Sequence, residues 1–174
     1  ETPTSVVSPV LTDDSIITFG AKSGTVTSYS RDLSTVYWTT ELGRTARIWS
    51  PPLHVKQQKK IYFVTSNAGG LVAEGRAKDT YSSSIIAIDT SSGSIKFSQQ
   101  MIKDDVWDFD AVGQPIYIEN FSLDSNTNVP VVVSFNKTGF IFVLSADDGA
   151  LIPPAKLQKV FFTRGEGANS SVEG

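Results

Sequence analysis

Apolar residues come in short runs of about five, broken by Gly, Ser, Asp and Asn, and no long window repeats at the helical period. The runs predict strands at Ser15–Phe19, Thr25–Ser30, Val36–Thr40, Lys60–Thr65, Ser84–Asp89, Ser94–Gln99, Pro115–Glu119, Pro130–Phe135 and Phe140–Ser145, with a further candidate at Gln158–Thr163. Between them lie the turn pairs Ser23-Gly24, Ser92-Gly93, Thr138-Gly139 and Asp148-Gly149. The expected class is all-β.

Three segments repeat. Gly24-Thr-Val-Thr-Ser-Tyr-Ser30, Ser84-Ile-Ile-Ala-Ile-Asp89 and Gly139-Phe-Ile-Phe-Val-Leu-Ser145 each give a strand closed by a small polar residue. A tight turn and a second strand follow each one, and Ser30 to Trp38 spans the same eight positions as Asp89 to Phe97. Ser30, Asp89 and Ser145 lie 59 and 56 residues apart. That exceeds the roughly 40–50 residues of a four-stranded propeller blade, leaving room for insertions such as Asn67–Ser83. Blades are expected at about 5–45, 46–101 and 102–153, with 154–174 the start of a next blade or a flexible end. Three blades do not close a ring, because propellers need about four to eight. The chain is therefore expected to be part of a larger propeller, the alternative being a complete β-sandwich of about ten strands.

The 174 residues can bury an apolar core, and 15 Lys+Arg against 18 Asp+Glu, scattered along the chain, argue against nucleic acid as a partner. No apolar run is long enough to span a membrane. No signal peptide opens the chain at Glu1-Thr2-Pro3, so a mature, processed or partial chain is expected. The absence of Cys excludes disulfides, thiolate zinc sites and a Cys nucleophile, and the single His54 speaks against a Ser-His-Asp triad. Chemistry must rest on carboxylates, amides, Lys or a bound cofactor.

Three segments could carry it. In Asp104-Asp-Val-Trp-Asp-Phe-Asp110, an extended backbone would put Asp108 and Asp110 on one face and Trp107 and Phe109 on the other. Two carboxylates before an aromatic wall suit a hard cation or a general base, or they are an acidic loop with aromatic anchors. The strand from Ile61 ends in Asn67-Ala-Gly-Gly70, which offers an amide oxygen and close backbone approach, or merely turns. Asn136-Lys137-Thr138-Gly139 reads as a hairpin turn whose Lys is functional only if the turn faces a shared cavity.

In this order and spacing the segments resemble the pyrroloquinoline quinone (PQQ)-dependent alcohol dehydrogenases, secreted or periplasmic eight-bladed propellers. The resemblance runs from about Trp49 to Ile152 and is carried by Trp49, Val64-Thr-Ser-Asn67, Ala87-Ile-Asp89 through Phe97, Asp104-Asp-Val-Trp-Asp108-Phe and Lys137-Thr-Gly-Phe-Ile-Phe-Val-Leu144. Trp49 precedes Asn67 by 18 residues, as in the family. The resemblance implies that Trp49 stacks on the PQQ ring and that Asn67 and Asp108 reach the PQQ-bound metal, usually Ca²⁺. It further implies that the metal polarises the quinone C5 carbonyl, that Asp108 takes the alcohol proton as hydride moves to C5, and that Lys137 bonds the quinone oxygens. Members that use a lanthanide are similar in having a second Asp where Asp110 stands, and a trivalent ion rewards another anionic oxygen. The implied partners are a small alcohol, an electron acceptor such as a cytochrome c, and the remaining blades, in the periplasm or outside the cell.

The sequence departs from the family pattern at Ser66 (usually Gly), at Asp104 (usually His), and at Tyr29 and Phe97, where Leu and Trp are common. The family's upstream metal-binding Glu and its adjacent-cysteine disulfide have no counterpart here. The competing reading is a non-catalytic propeller acting as a secreted or envelope interaction scaffold. Sequons at Asn120, Asn136 and Asn169 bear on it, because a glycan on Asn136 would crowd Lys137.

Overall fold

The computed structural model describes residues 7–20, 23–68, 81–103, 105, 107–123 and 127–153. Among them are eleven strands and one turn of 3-10 helix, Lys56–Gln58. The first sheet is a meander of β1 (Val10–Leu11), β2 (Ser15–Gly20), β3 (Thr25–Ser30) and β4 (Val36–Glu41). The second repeats it with β5 (Leu53–Val55), β6 (Lys60–Val64), β7 (Ser84–Asp89) and β8 (Ile95–Gln100). The third runs β9 (Ala111–Ser122), β10 (Asn128–Asn136) and β11 (Ile141–Ser145), and a bridge from Leu144 to Leu151 continues it. All neighbours are antiparallel.

Two apolar cores separate three sheets, and the alternation in β6 and β7 feeds both. Tyr62, Val64, Ile85 and Ala87 enter the core shared with Val132, Phe142 and Leu144 of the third sheet. Ile61, Phe63, Ile86 and Ile88 enter the core shared with Ile17, Phe19 and Val26 of the first. A sheet covered on both faces explains why Ser84-Ile-Ile-Ala-Ile-Asp89 lacks the polar alternation of a half-solvated strand. Phe19 and Phe63 meet edge to face with centroids 5.6 Å apart.

The predicted strands Thr25–Ser30 and Ser84–Asp89 keep their bounds, and six others shift by a few residues at an end. The segment predicted at 115–119 is longer, because β9 follows β10 through two register irregularities from Ala111 to Ser122. β1 and β5 were not expected; two or three residues beside Pro9 and Pro52 show no alternation, and pairing with β2 and β6 makes them strands. His54 lies in β5. The candidate strand 158–163, the segment 154–174 and the sequon at Asn169 lie outside the described residues. No helix among the described residues is long and apolar enough to cross a membrane.

Adjacent sheets are also pinned at their turns. The Trp38 indole of β4 lies over Gly93 of the β7–β8 turn, donates from Nε1 to the Thr90 carbonyl at 3.1 Å, and Thr40 Oγ1 donates to the Gly93 carbonyl at 2.5 Å. Phe97 repeats the packing over Gly149 one sheet further on, without an indole N–H to donate. Trp38→Phe keeps most of the ring and removes the donor, so it should cost about 1 kcal/mol. A thermal midpoint unchanged from wild type would show that the bond adds nothing.

Candidate active site

The site forms where four segments meet at the ends of the second and third sheets. Between β4 and β5, Ala46, Ile48 and Ser50 are buried while Arg47 and Trp49 face out, so Ile48 in the core holds Trp49 with its side of the indole open, 47% exposed. The end of β6 is tied to this loop, since the Ser66 amide donates to the Arg47 carbonyl at 2.8 Å. That bond places Asn67 beside Trp49's segment. The third loop, 105–110, comes off β8 towards β9 with Phe109 packed on the core and Asp108 turned outward.

Lys137 lies in the β10–β11 turn, and its ammonium is the hub. Nζ donates to Asp108 Oδ2 at 2.9 Å and to Asp110 Oδ2 at 2.6 Å, and stands 5.9 Å from the centroid of the Trp49 ring. Asn67 joins twice: its backbone amide donates to Asp110 Oδ1 at 2.8 Å, and its Nδ2 donates to Asp108 Oδ1 at 3.2 Å. All five expected residues, Trp49, Asn67, Asp108, Asp110 and Lys137, are therefore one cluster.

The two carboxylates live in different surroundings. Asp108 has a 67% exposed side chain and is held below the usual carboxylate range first by its bond to the Lys137 ammonium. Asp110 is fully buried, and burial pushes its carboxyl up against the opposing pull of Lys137. Bonds to Asp110 and Asp108 raise the Lys137 pKa. Environment thus sets two like groups apart.

The backbone corrects one expectation. Residues 107–110 do not form an extended strand: Asp108 has φ of 66°, in the left-handed region. Trp107 and Phe109 consequently do not form a shared wall, for Trp107 is 65% exposed while Phe109 packs inward. A left-handed residue breaks the two-residue alternation that the expectation assumed.

Sequence reasoning also missed the support beneath this loop. Asp105 is buried, accepts the Trp107 amide at 3.0 Å and faces Ser83 Oγ at 3.4 Å, while the Ser83 amide donates to the Ser66 carbonyl at 2.8 Å. A run of three serines at 82–84 before an apolar strand was the available signal. The sequon residue Asn136 is buried, and its Oδ1 accepts from the Thr138 amide and hydroxyl, so the folded protein offers no glycan acceptor there. Asn120 is exposed on β9.

The family model described as glucose/ethanol/alcohol dehydrogenase, beta-propeller domain, matches residues 19–171. The chain belongs to this PQQ β-propeller family. It is 30% identical over 128 residues to quinohemoprotein alcohol dehydrogenase ADH IIB of Pseudomonas putida, covering 71% of this chain and 18% of that protein. It is 36% identical over 78 residues to quinoprotein glucose dehydrogenase of Escherichia coli (strain K12), covering 45% of this chain and 10% of the relative. Among solved structures, a europium-containing methanol dehydrogenase superposes with a TM-score of 0.70 at 19% identity, over 83% of this chain and 32% of that one. Quinohemoprotein alcohol dehydrogenase from Comamonas testosteroni gives the same TM-score at 19% identity, over 84% and 27%. At that identity the superpositions establish the fold. The chain spans under a fifth of these curated relatives and about a third of the solved neighbours.

The residues present fit a PQQ site. The exposed indole face of Trp49 matches a flat ring, and the Lys137 ammonium beside it matches the negative charge of a quinone bearing carboxylates. Asp108 and Asn67 are hard oxygen donors of the kind Ca²⁺ takes. Among the described residues no group of three His, Cys, Asp or Glu could hold an ion unaided, so other ligands must complete the shell of about six to eight oxygens.

Proposed function

We propose that this chain carries the cofactor and base half of a PQQ-dependent dehydrogenase that oxidises an alcohol. The observation that supports it best is the gathering of Trp49, Asn67 and Asp108 from three separate loops around Lys137, which meets Trp49 and Asp108 directly and Asn67 through Asp108. A non-catalytic scaffold has no physical need for that arrangement.

When bound, PQQ supplies a hydride acceptor, and its metal, Ca²⁺ or a lanthanide, supplies Lewis acidity. Trp49 offers the stacking face. Lys137 offers a cation fixed beside that face, where it offsets negative charge that develops during reduction. The Asn67 amide oxygen and the Asp108 carboxylate would be the metal donors, and Asp110 stands behind them, buried, with both oxygens engaged. Asp108 is the base: exposed and ionised, it can take the alcohol hydroxyl proton on a lone pair that its bonds to Lys137 and Asn67 leave unused. The partner this reading calls for is an electron acceptor such as a cytochrome c, and we place the reaction in the periplasm or outside the cell.

The test is PQQ titration of the complete protein with Ca²⁺ or La³⁺, followed by tryptophan fluorescence quenching. Saturable, metal-dependent binding that drops at least tenfold in Trp49→Ala is expected, a tenfold loss being about 1.4 kcal/mol of stacking. No binding with either ion would hand the chain to the scaffold reading. The pH profile gives a second check. Because Lys137 lowers the Asp108 pKa, the carboxylate persists as pH falls, so kcat/KM should hold through the usual carboxylate range and drop only below it. An acidic limb near neutrality would point to a different base.

A further inference from the structure

We infer that Asp110 is a positioning residue, whose buried carboxylate fixes the Lys137 ammonium and the Asn67 backbone at one point before any ligand arrives. Its two oxygens are each engaged: Oδ1 accepts the Asn67 amide at 2.8 Å and Oδ2 accepts Lys137 Nζ at 2.6 Å. The Lys137 amide also donates to the Asp110 carbonyl at 3.2 Å, so residues 110 and 137 are joined through backbone and side chain alike. A fully buried carboxylate is tolerated only when paired and hydrogen-bonded, and these are the partners that make it tolerable. The constraint works in both directions. A lysine on a flexible four-carbon stem is held over Trp49 because its charge is the counter-ion of a group that cannot move to water. Asp108, bonded to the same ammonium at 2.9 Å but two-thirds exposed, keeps the freedom that chemistry needs. Asp110 therefore acts through Lys137 and Asn67, and its fully buried side chain gives it no open face toward an ion.

Two measurements test this, and only the second rests on the proposed function. In the ligand-free complete protein, acetylation of lysines by a small reagent, followed by mass spectrometry, should label Lys137 far more slowly than exposed Lys103. Asp110→Asn should raise Lys137 labelling roughly tenfold, since the neutral amide keeps the shape and loses the ion pair. Lys137 as reactive as Lys103 in the wild-type protein overturns the inference, even if Asp110→Asn does not fold. The second measurement is PQQ affinity, read by absorbance with Ca²⁺ and with La³⁺, for wild type, Asp110→Asn, Lys137→Met and the double variant. The expected pattern is roughly tenfold weaker binding in Asp110→Asn, a double variant no weaker than Lys137→Met, and an unchanged ratio of La³⁺ to Ca²⁺ affinity. Additive losses, or a La³⁺ affinity that falls while Ca²⁺ affinity holds, would make Asp110 a direct metal ligand and overturn positioning. Absence of PQQ binding in the wild-type protein removes the dehydrogenase reading, and the labelling result then decides the inference alone.

Discussion

If the proposed reading holds, Asp108→Ala in the complete protein should lower alcohol turnover about a thousandfold, the middle of the range for loss of a general base. The size follows from what the side chain has around it. Asp108 is the exposed member of the pair, is held ionised by Lys137, and is steadied by Asn67 Nδ2 at 3.2 Å. Asp110 cannot replace it, because its side chain is fully buried. Asp108 also has φ of 66°, where alanine is strained and asparagine is tolerated. Asp108→Asn is therefore the cleaner variant: it keeps the backbone and removes the proton acceptor. Both variants should lose activity alike, while their thermal midpoints separate by about 1–2 kcal/mol of backbone strain. Turnover surviving in Asp108→Asn would take the base assignment away from this residue.

The second large effect concerns the joint between the first two sheets. Gly93 has φ of 72°, and a Cβ built on it would sit 2.5 Å from the Trp38 indole. Gly93→Ala must strain the turn and displace the ring, breaking the Nε1 bond to Thr90 and opening the core that Trp38 covers. Left-handed strain of about 1–2 kcal/mol and overpacking of about 1–3 kcal/mol together predict a loss near 3 kcal/mol. Gly43→Ala separates the two contributions. Gly43 has φ of 89° with nothing within 4 Å of the added carbon, so only the strain should remain. Equal destabilisation by the two alanines, measured by denaturant midpoint, would mean that the close approach to Trp38 is not a constraint.

Much of the fold was legible because strands are local objects. β3 and β7 were bounded by Gly and Asp turns, and β7 announced its two-sided burial through an unbroken apolar run. β1 and β5 were not legible, since their strand character comes from the partner rather than from two or three residues of their own. β9 ran past its predicted ends because β10 extends it around Gly113 and Pro115.

The site divides along the same line. The residue types were legible: Trp49, Asn67, Asp108 and Lys137 stand at spacings that resemble a known family, and the family match confirms that membership. Their tasks were not. Asp108 and Asp110 are equivalent in the sequence, two acids two positions apart, and the extended backbone that pattern suggested would have kept them so. A left-handed residue at 108 and the packing of Phe109 on the core turned one carboxylate to solvent and the other inside. Lys137 reached Asp108 and Asp110 because β10 pairs with β9, setting Asn136 opposite Ala111, and it met Asn67's bonds and the Trp49 ring only when the third sheet docked on the second. Amino-acid order fixed which groups were available and which strands would form, because alternation and turn chemistry act between near neighbours. Burial, charge state and distance depend on segments far apart in the chain, and these were settled by the stacking of sheets around two shared cores.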